Sequence, residues 1–347
     1  MKKRNANTQS DGLKRDLGVF TAAALIVGQM IGSGIYMAPQ GLAELANPKA
    51  AVLAMLITGI GTIFLALCFA TLDRTQAQTG SAIVYTQRAF GDLPAFWVGW
   101  SYWFGCWVAN GAIILAGLGY LSYFFPVLGG NTPERFLACL SIIWIYTGIN
   151  LCGVKQAGMI NLVLTIIKII PLLVFIIIAA THFNPDNFNT VSQPALSGPS
   201  VLPVAIAYTL WSYMGFESVS VNAGEIKDQR KIGLVTIIST IAVVVIYLTL
   251  IILAAGGMPQ SDLAASQSPF ADIIRNATGT YWAGAFIAIG GSLSAIGCVG
   301  GWILSVSRVS YSMGVQKLLP DIFLKVNPKN GTPVASLIIN GILMSAV

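Results

Sequence analysis

The chain has 347 residues, of which 55% are hydrophobic and only 9% charged, and its mean hydropathy is +0.75. Soluble domains carry about 25% charged residues, so this composition excludes one. The net charge of +6 is scattered between long apolar runs rather than gathered into the basic patch of a nucleic-acid binder, and no nucleic-acid partner is expected.

Taken in chain order, runs of the ~17–25 apolar residues that cross a bilayer fall near 17–41, 51–72, 95–125, 136–154, 160–181, 201–224, 233–256 and 280–306. A ninth begins near 332 and is still apolar at Val347, so the chain reads as an incomplete copy of a longer protein. The fold class is then all-α and polytopic, with residues 1–16 as a tail and residues 17–347 as one domain. The Lys and Arg residues fall mostly on one side of these spans, among them Lys2, Lys3, Arg4, Lys14, Arg88, Lys155, Lys227, Arg230, Lys231, Arg308 and Lys317. The other side holds Lys49, Arg135 and Arg275. Positive charge stays in the cytoplasm, which puts the amino terminus inside and the protein in the cytoplasmic (inner) membrane. The first run has no short core followed by a small-residue cleavage site, so it reads as a retained span, not a signal peptide.

The first span carries Gly32, Ser33 and Gly34 inside "QMIGSGIYMAP", where a continuous helix would want good helix formers. Irregular backbone at membrane depth is tolerated only against protein or a watery cavity. Unwinding there frees N–H groups at the amino end of a half-helix, which favours an anion. The plainer reading is a Gly28-x-x-x-Gly32 helix contact. The sixth span, "LWSYMGFESVSVNAG", has a second interruption around Trp211 to Gly215, followed by Glu217. There, freed carbonyls near Trp211 and Ser212 suit an ammonium. Two interrupted spans in corresponding places point to a midplane site in an inverted-repeat transporter, with a first repeat over about 17–182 and a second from about 201, incomplete at 347. An α-amino acid carries both an anion and an ammonium on one carbon.

In the third span, Tyr102, Cys106, Asn110 and Ile113 fall at relative angles of about 0°, 40°, 80° and 20° on a helix of ~100° per residue. They form one stripe, either a cavity wall or interhelical glue. Lys168 in the fifth span and Glu217 in the sixth are charges at membrane depth and functional candidates by default, either as groups that respond to pH or as a structural ion pair. Glu225, Lys227, Asp228, Arg230 and Lys231 read as a solvated loop. In the eighth span Trp302 follows "GCVGG", where small neighbours leave room beside its ring, and a tryptophan face suits a cation, guanidinium above all. Trp97 and Trp282, near span ends, read as interfacial anchors.

Five cysteines without paired spacing, Cys68, Cys106, Cys139, Cys152 and Cys298, give no disulfide framework; all but Cys106 read as small buried hydrophobes. With His182 as the single histidine, neither a metal centre nor a nucleophile–base pair is expected. The chain is therefore not read as an enzyme, and no cofactor is expected.

The segments "GSGIY", "YWFGCWVAN", "GYLSYFFPVL", "LWSYMGFESVS", "SPFAD", "GGW" and "GTPVASLIINGILM" give the chain its likeness. It resembles the amino acid, polyamine and organocation superfamily, and within it the arginine/agmatine antiporter branch. The resemblance implies a twelve-span, inverted-repeat fold of leucine-transporter type. It implies that Ser33 and Gly34 hold a substrate carboxylate and that carbonyls around Trp211 and Ser212 hold its α-amino group. Trp302 would stack on the guanidinium, Cys106 and Asn110 would line the distal end, and Tyr102, Trp211 and Glu217 would act in gating. The departures are Gly105 and Ile113, which change the pocket's volume, and Lys168, which looks like the fifth-span lysine that fills the second sodium site elsewhere in the superfamily. The activity implied is exchange of external arginine for agmatine by alternating access, in service of acid resistance. The alternatives are a proton-coupled or exchange permease for another amino acid or polyamine, and a non-transporting sensor. The partners expected are a small cationic substrate and the bilayer, with a homodimer as an option.

Overall fold

Helices form where the sequence is apolar and unpunctuated, and they stop at glycine, proline or small polar residues. The computed structural model describes residues 13, 15–76, 78–189 and 201–347. Lys2, Lys3, Arg4 and Lys14, and with them most of the expected 1–16 tail, lie outside the described residues.

Among the described residues the helices run in order as α1 (Val19–Met30), α2 (Ser33–Leu45), α3 (Pro48–Gln76), α4 (Ser81–Phe90), α5 (Asp92–Leu121), α6 (Pro133–Leu151), α7 (Val154–Thr181) and α8 (Pro185–Asn189). They continue as α9 (Val201–Tyr213), α10 (Ser218–Val221), α11 (Ile232–Gly257), α12 (Gln260–Ala265), α13 (Pro269–Thr278), α14 (Tyr281–Val315) and α15 (Val334–Ser345). Six of the described stretches are long and apolar enough to cross a membrane: Val19–Leu45 across its break, Pro48–Arg74, Asp92–Leu121, Val154–Thr181, Gln229–Gly257 and Tyr281–Val315. The all-helical, membrane-spanning class expected from composition is thus what folds.

The long helices pair off, α3 along α11 and α14 between α5 and α7, and the two broken spans, α1–α2 and α9–α10, lie among them. One apolar cluster joins α1, α2, α7 and α11 through Leu25, Tyr36, Phe175 and Tyr247; a second joins α5 to α14 through Trp103, Ile114, Trp302 and Val306. Tyr36 lies at the centre of the first, edge-on to both Tyr120 and Phe270 with ring centroids 5.4 Å apart. These contacts fix α2 against α5 and α13, which sets where the first break can sit.

Several expectations need correction. The eighth span runs to Val315 rather than 306 and carries Arg308 inside it, fully buried. Arg308 is therefore not a loop charge. It holds Glu225, also fully buried, at 2.6 Å, so Glu225 leaves the solvated set, while Lys227, Arg230 and Lys231 remain at the surface. Apolar periodicity reads a charge after a span as loop; it has no term for a charge whose partner lies 83 residues away. Cys68 and Cys152 are exposed rather than buried. Three short helices, α4, α12 and α13, fall below the length at which an apolar run registers as a span. α12 is pinned by Gln260, whose Nε2 donates to the carbonyls of Ala43 and Ala46 at 2.9 and 3.2 Å, where α2 ends.

Candidate functional site: two broken spans around a cavity

The first span breaks over Ile31 and Gly32. The N–H of Ile31 still reaches Val27 O (2.9 Å), but that of Gly32 turns to Met30 O (2.8 Å), and Gly32 adopts φ −128°, ψ −144°. The unwound stretch is shorter than expected, because Ser33 and Gly34 are the first residues of α2 and not coil. Their N–H groups are nevertheless among those that a helix start leaves without an intrahelical partner, and that of Ser33 meets the sulfur of Cys298.

The carbonyls loosened by this break are taken by side chains from three other helices. Lys168 Nζ of α7 donates to Gly28 O, Tyr247 OH of α11 donates to Met30 O, and Ser294 Oγ of α14 donates to Ile31 O at 3.0 Å. Backbone that cannot satisfy itself in a bilayer needs such partners, so the break is built into the fold.

The sixth span breaks later than expected. Trp211 and Ser212 stay helical in α9, and the turn covers Met214 to Glu217, with Gly215 at φ +113°. The last carbonyls of α9 have no following helical turn to donate to them; Met214 N reaches Trp211 O only at 3.4 Å. Glu217 closes the turn on itself: its Oε2 accepts from Gly215 N at 3.0 Å and its Oε1 from Tyr102 OH at 2.7 Å.

The two breaks touch through their glycines. A Cβ on Gly34 would lie 2.8 Å from Ser212 Cα, and one on Gly215 would lie 2.9 Å from Gln29 Cβ and 3.0 Å from Met30 N. Each span thus needs a bare backbone where the other crosses it.

Beside this crossing lies a cavity of about 540 Å³, lined by Gln29, Met30, Gly32, Ser33, Gly34, Gly105, Cys106, Ala109, Ile113, Trp211, Met214, Cys298 and Trp302. Of the expected site residues it gathers Gly32, Ser33, Gly34, Cys106, Trp211 and Trp302. Ser212 sits behind it, 2% exposed, against Gly34. Asn110 is fully buried behind the wall, its Nδ2 donating to Cys106 O at 2.8 Å and its Oδ1 without a partner. Tyr102 and Glu217 line an adjoining cavity of about 650 Å³ that shares Met214 with the first. Lys168 lies behind the first break and does not meet Glu217, so the alternative of an ion pair between them does not hold.

Gln29 is a site residue that the sequence reading does not single out. It is 2% exposed, and its Nε2 donates to Gly301 O at 3.0 Å and Ser305 Oγ at 2.9 Å. Its Oε1 has no partner. The available signal is a carboxamide three residues before a glycine break in an otherwise apolar helix. Chemically, the cavity offers the amino end of α2 to an anion, with the Ser33 N–H held only by the weakly accepting sulfur of Cys298, the carbonyl end of α9 and a lone amide oxygen to an ammonium, and two indole rings to a cation or an apolar stem.

The chain is similar to known proteins in sequence and in fold. Over residues 17–347 the chain matches the amino acid permease family. An arginine/agmatine antiporter of Chlamydia caviae is 31% identical over 343 residues, which are 95% of this chain and 70% of that protein. An arginine/ornithine antiporter of Pseudomonas aeruginosa is 30% identical over 338 residues, covering 95% and 69%. Among solved structures, the closed conformation of Mhp1, a nucleobase-cation-symport-1 family transporter, superposes with a TM-score of 0.67 at 13% identity, over 98% of this chain and 74% of that one. A sodium-coupled sialic acid symporter gives 0.64 at 14% identity, over 99% and 76%. The helical arrangement is therefore that of these transporters, the leucine-transporter type expected from the sequence. By sequence over almost its whole length, the chain belongs to the amino acid permease family.

Proposed function

We propose that this protein is an antiporter of cationic amino acids, taking arginine from outside and returning a second small cation, in the order of preference agmatine and then ornithine. The observation that carries this reading is the meeting of two broken spans at one cavity, lined by the amino end of α2, the carboxyl end of α9 and two tryptophans. The names of the relatives, arginine/agmatine and arginine/ornithine antiporters, support the substrate class. The protein sits in the inner membrane with its amino terminus and the Glu225–Arg308 end in the cytoplasm, as the distribution of Lys and Arg supports. No catalytic role is proposed.

In this reading the substrate carboxylate lies on the N–H groups of Ser33 and Gly34, where the helix dipole favours an anion. The α-ammonium lies on the last carbonyls of α9 around Trp211 and Ser212. The aliphatic stem runs along Ile113 and Cys106, and the guanidinium stacks on Trp302, with Asn110 fixing the wall from behind. Tyr102 and Glu217 join α5 to the sixth-span turn, so the two must part or move together when that turn shifts. Trp211, 39% exposed, is free to swing over the cavity as a gate.

Counterflow tests the proposal. Vesicles loaded with arginine are expected to accumulate labelled arginine, agmatine or ornithine, and vesicles loaded with a neutral amino acid are not. Equal uptake driven by a neutral amino acid would overturn the cationic assignment; binding without any flux would leave a sensor in place of a transporter. Trp302→Leu is expected to raise the KM for arginine by roughly fivefold to thirtyfold, equivalent to ~1–2 kcal/mol of cation–π attraction, with uptake kinetics as the measurement.

A further inference from the structure

We infer that Lys168 makes the cavity read the α-carboxylate, so that a cationic amino acid binds in preference to the same molecule without its carboxyl group. The inference rests on the cationic amino acid reading of the cavity and names the feature within that class which the site selects.

The break in the first span creates the arrangement. Gly28 O would accept from Gly32 N in an unbroken helix, but Gly32 N is turned to Met30 O, and Lys168 Nζ takes the vacated carbonyl. Lys168 is 1% exposed. It shares one face of α7 with Asn161 and Thr165, at i, i+4 and i+7, and both of these donate to Ala24 O, at 3.1 and 3.2 Å. That face of α7 is thereby held against α1, where Lys168 reaches Gly28 O.

Among the described residues that ammonium meets a backbone carbonyl and no carboxylate. Ion pairs join Lys231 to Asp228, Arg275 to Asp272 and Arg308 to Glu225, and Glu217 is committed to Tyr102 and Gly215. A buried charge without an opposite charge is costly. One helical turn beyond Gly28 stand Gly32, Ser33 and Gly34, which line the cavity together with Cys298; the Ser33 N–H is directed at the Cys298 sulfur and Lys168 acts on the same group, so the charge reaches the amide end of the cavity across one residue. At that end too is Gln29 Oε1, an acceptor without a donor, which suits the ammonium on the next substituent of the same carbon.

Arginine brings a carboxylate that compensates Lys168; agmatine removes the carboxylate and leaves two positive charges facing a third. A unit charge one to two helical turns away, at an effective dielectric near 20, changes such an affinity on the order of tenfold.

The experiment measures binding to the purified chain in lipid nanodiscs for two pairs, arginine with agmatine and ornithine with putrescine. In the wild type each amino acid is expected to bind about tenfold more tightly than its amine. Lys168→Met is expected to bring both ratios close to one, chiefly by weakening the amino acids, and Lys168→Arg to keep them. A fall of equal size for amino acid and amine in Lys168→Met, or ratios near one in the wild type, would overturn the inference. If no cationic compound binds, the same comparison on whichever amino acid does bind, against its decarboxylated amine, tests Lys168 separately from the cationic assignment. An unchanged ratio there, too, counts against it.

Discussion

Arg308→Met is expected to destabilise the protein by about 3–5 kcal/mol, read as a lowered thermal midpoint in detergent, because it leaves Glu225 buried without its partner. The wild-type pair is bidentate, with Nε to Oε2 at 2.9 Å and Nη2 to Oε1 at 2.6 Å, and Nη1 donates to Ser307 Oγ at 2.7 Å. Both side chains are fully buried. The pair also fastens three parts of the chain. Leu17 N donates to Glu225 O at 3.0 Å and Lys227 N to Leu17 O at 2.9 Å, so the start of α1, the turn after α10 and the end of α14 are held at one knot. The loss should depend on pH. Burial pushes the Glu225 carboxyl above the usual carboxylate range, and Arg308 opposes that push. With the guanidinium gone only the upward push is left, and the folded variant holds a proton that the unfolded chain releases at lower pH. Its stability is then greatest in acid and falls as pH rises from the ordinary carboxylate value toward neutrality. The deficit against wild type should be smaller at about pH 5 than at about pH 8. Glu225→Leu combined with Arg308→Met should recover much of the loss, since a well-packed apolar pair commonly replaces a buried ion pair at little cost. A single Arg308→Met variant as stable as wild type would contradict the role given to the pair.

The membrane class and both interruptions are legible in the sequence because each is local: composition excludes a water-exposed surface, and glycine inside an apolar run marks a break without any partner being known. The six expected site residues that line the cavity are of this kind, small or aromatic and marked by a break, by a helical stripe or, for Trp302, by the small residues before it. The features that escape depend on pairing across the fold. Glu225 looks like a loop acid until Arg308 stands opposite it, and Gln29 looks like one polar residue in a span until Gly301 and Ser305 claim its amide. Asn110 reads as cavity wall from its angle on α5, but its side chain turns back to Cys106 O. Helical angle fixes the face a residue leaves from, not where its last atoms go. Both breaks lie within a few residues of where glycine marks them, and their edges do not follow from glycine, because partners elsewhere decide them: Lys168, Tyr247 and Ser294 capture the carbonyls of the first break, and Glu217 with Tyr102 closes the turn of the second.

Alanine at Gly34 is expected to reduce exchange by about 5-fold to 150-fold, from overpacking alone, and alanine at Gly215 by about 30-fold or more, because backbone strain adds to it. At Gly34 the added methyl would stand 2.8 Å from Ser212 Cα and 3.3 Å from Trp211 Cδ1. The nearest obstacle is backbone, which cannot rotate aside as a side chain does. At Gly215 there are two penalties: φ is +113°, a conformation L-residues rarely adopt, and the methyl would meet Gln29 Cβ at 2.9 Å and Met30 N at 3.0 Å. Overpacking costs about 1–3 kcal/mol and backbone strain a further ~1–3 kcal/mol. In either case the relief available is to push the two spans apart. That separates the amides of Ser33 and Gly34 from the carbonyl end of α9, the two groups between which the proposed reading holds one α-carbon, so ligand affinity should fall more than thermal stability does. Gly61→Ala is the matched comparison, since nothing lies within 4 Å of the new methyl, and it should leave both transport and stability unchanged. Vesicle uptake and thermal unfolding measured together decide the matter. Wild-type transport in both Gly34→Ala and Gly215→Ala would mean that the contact between the breaks does not set the site, whereas a loss of transport with a small change in midpoint ties the glycines to the geometry of binding.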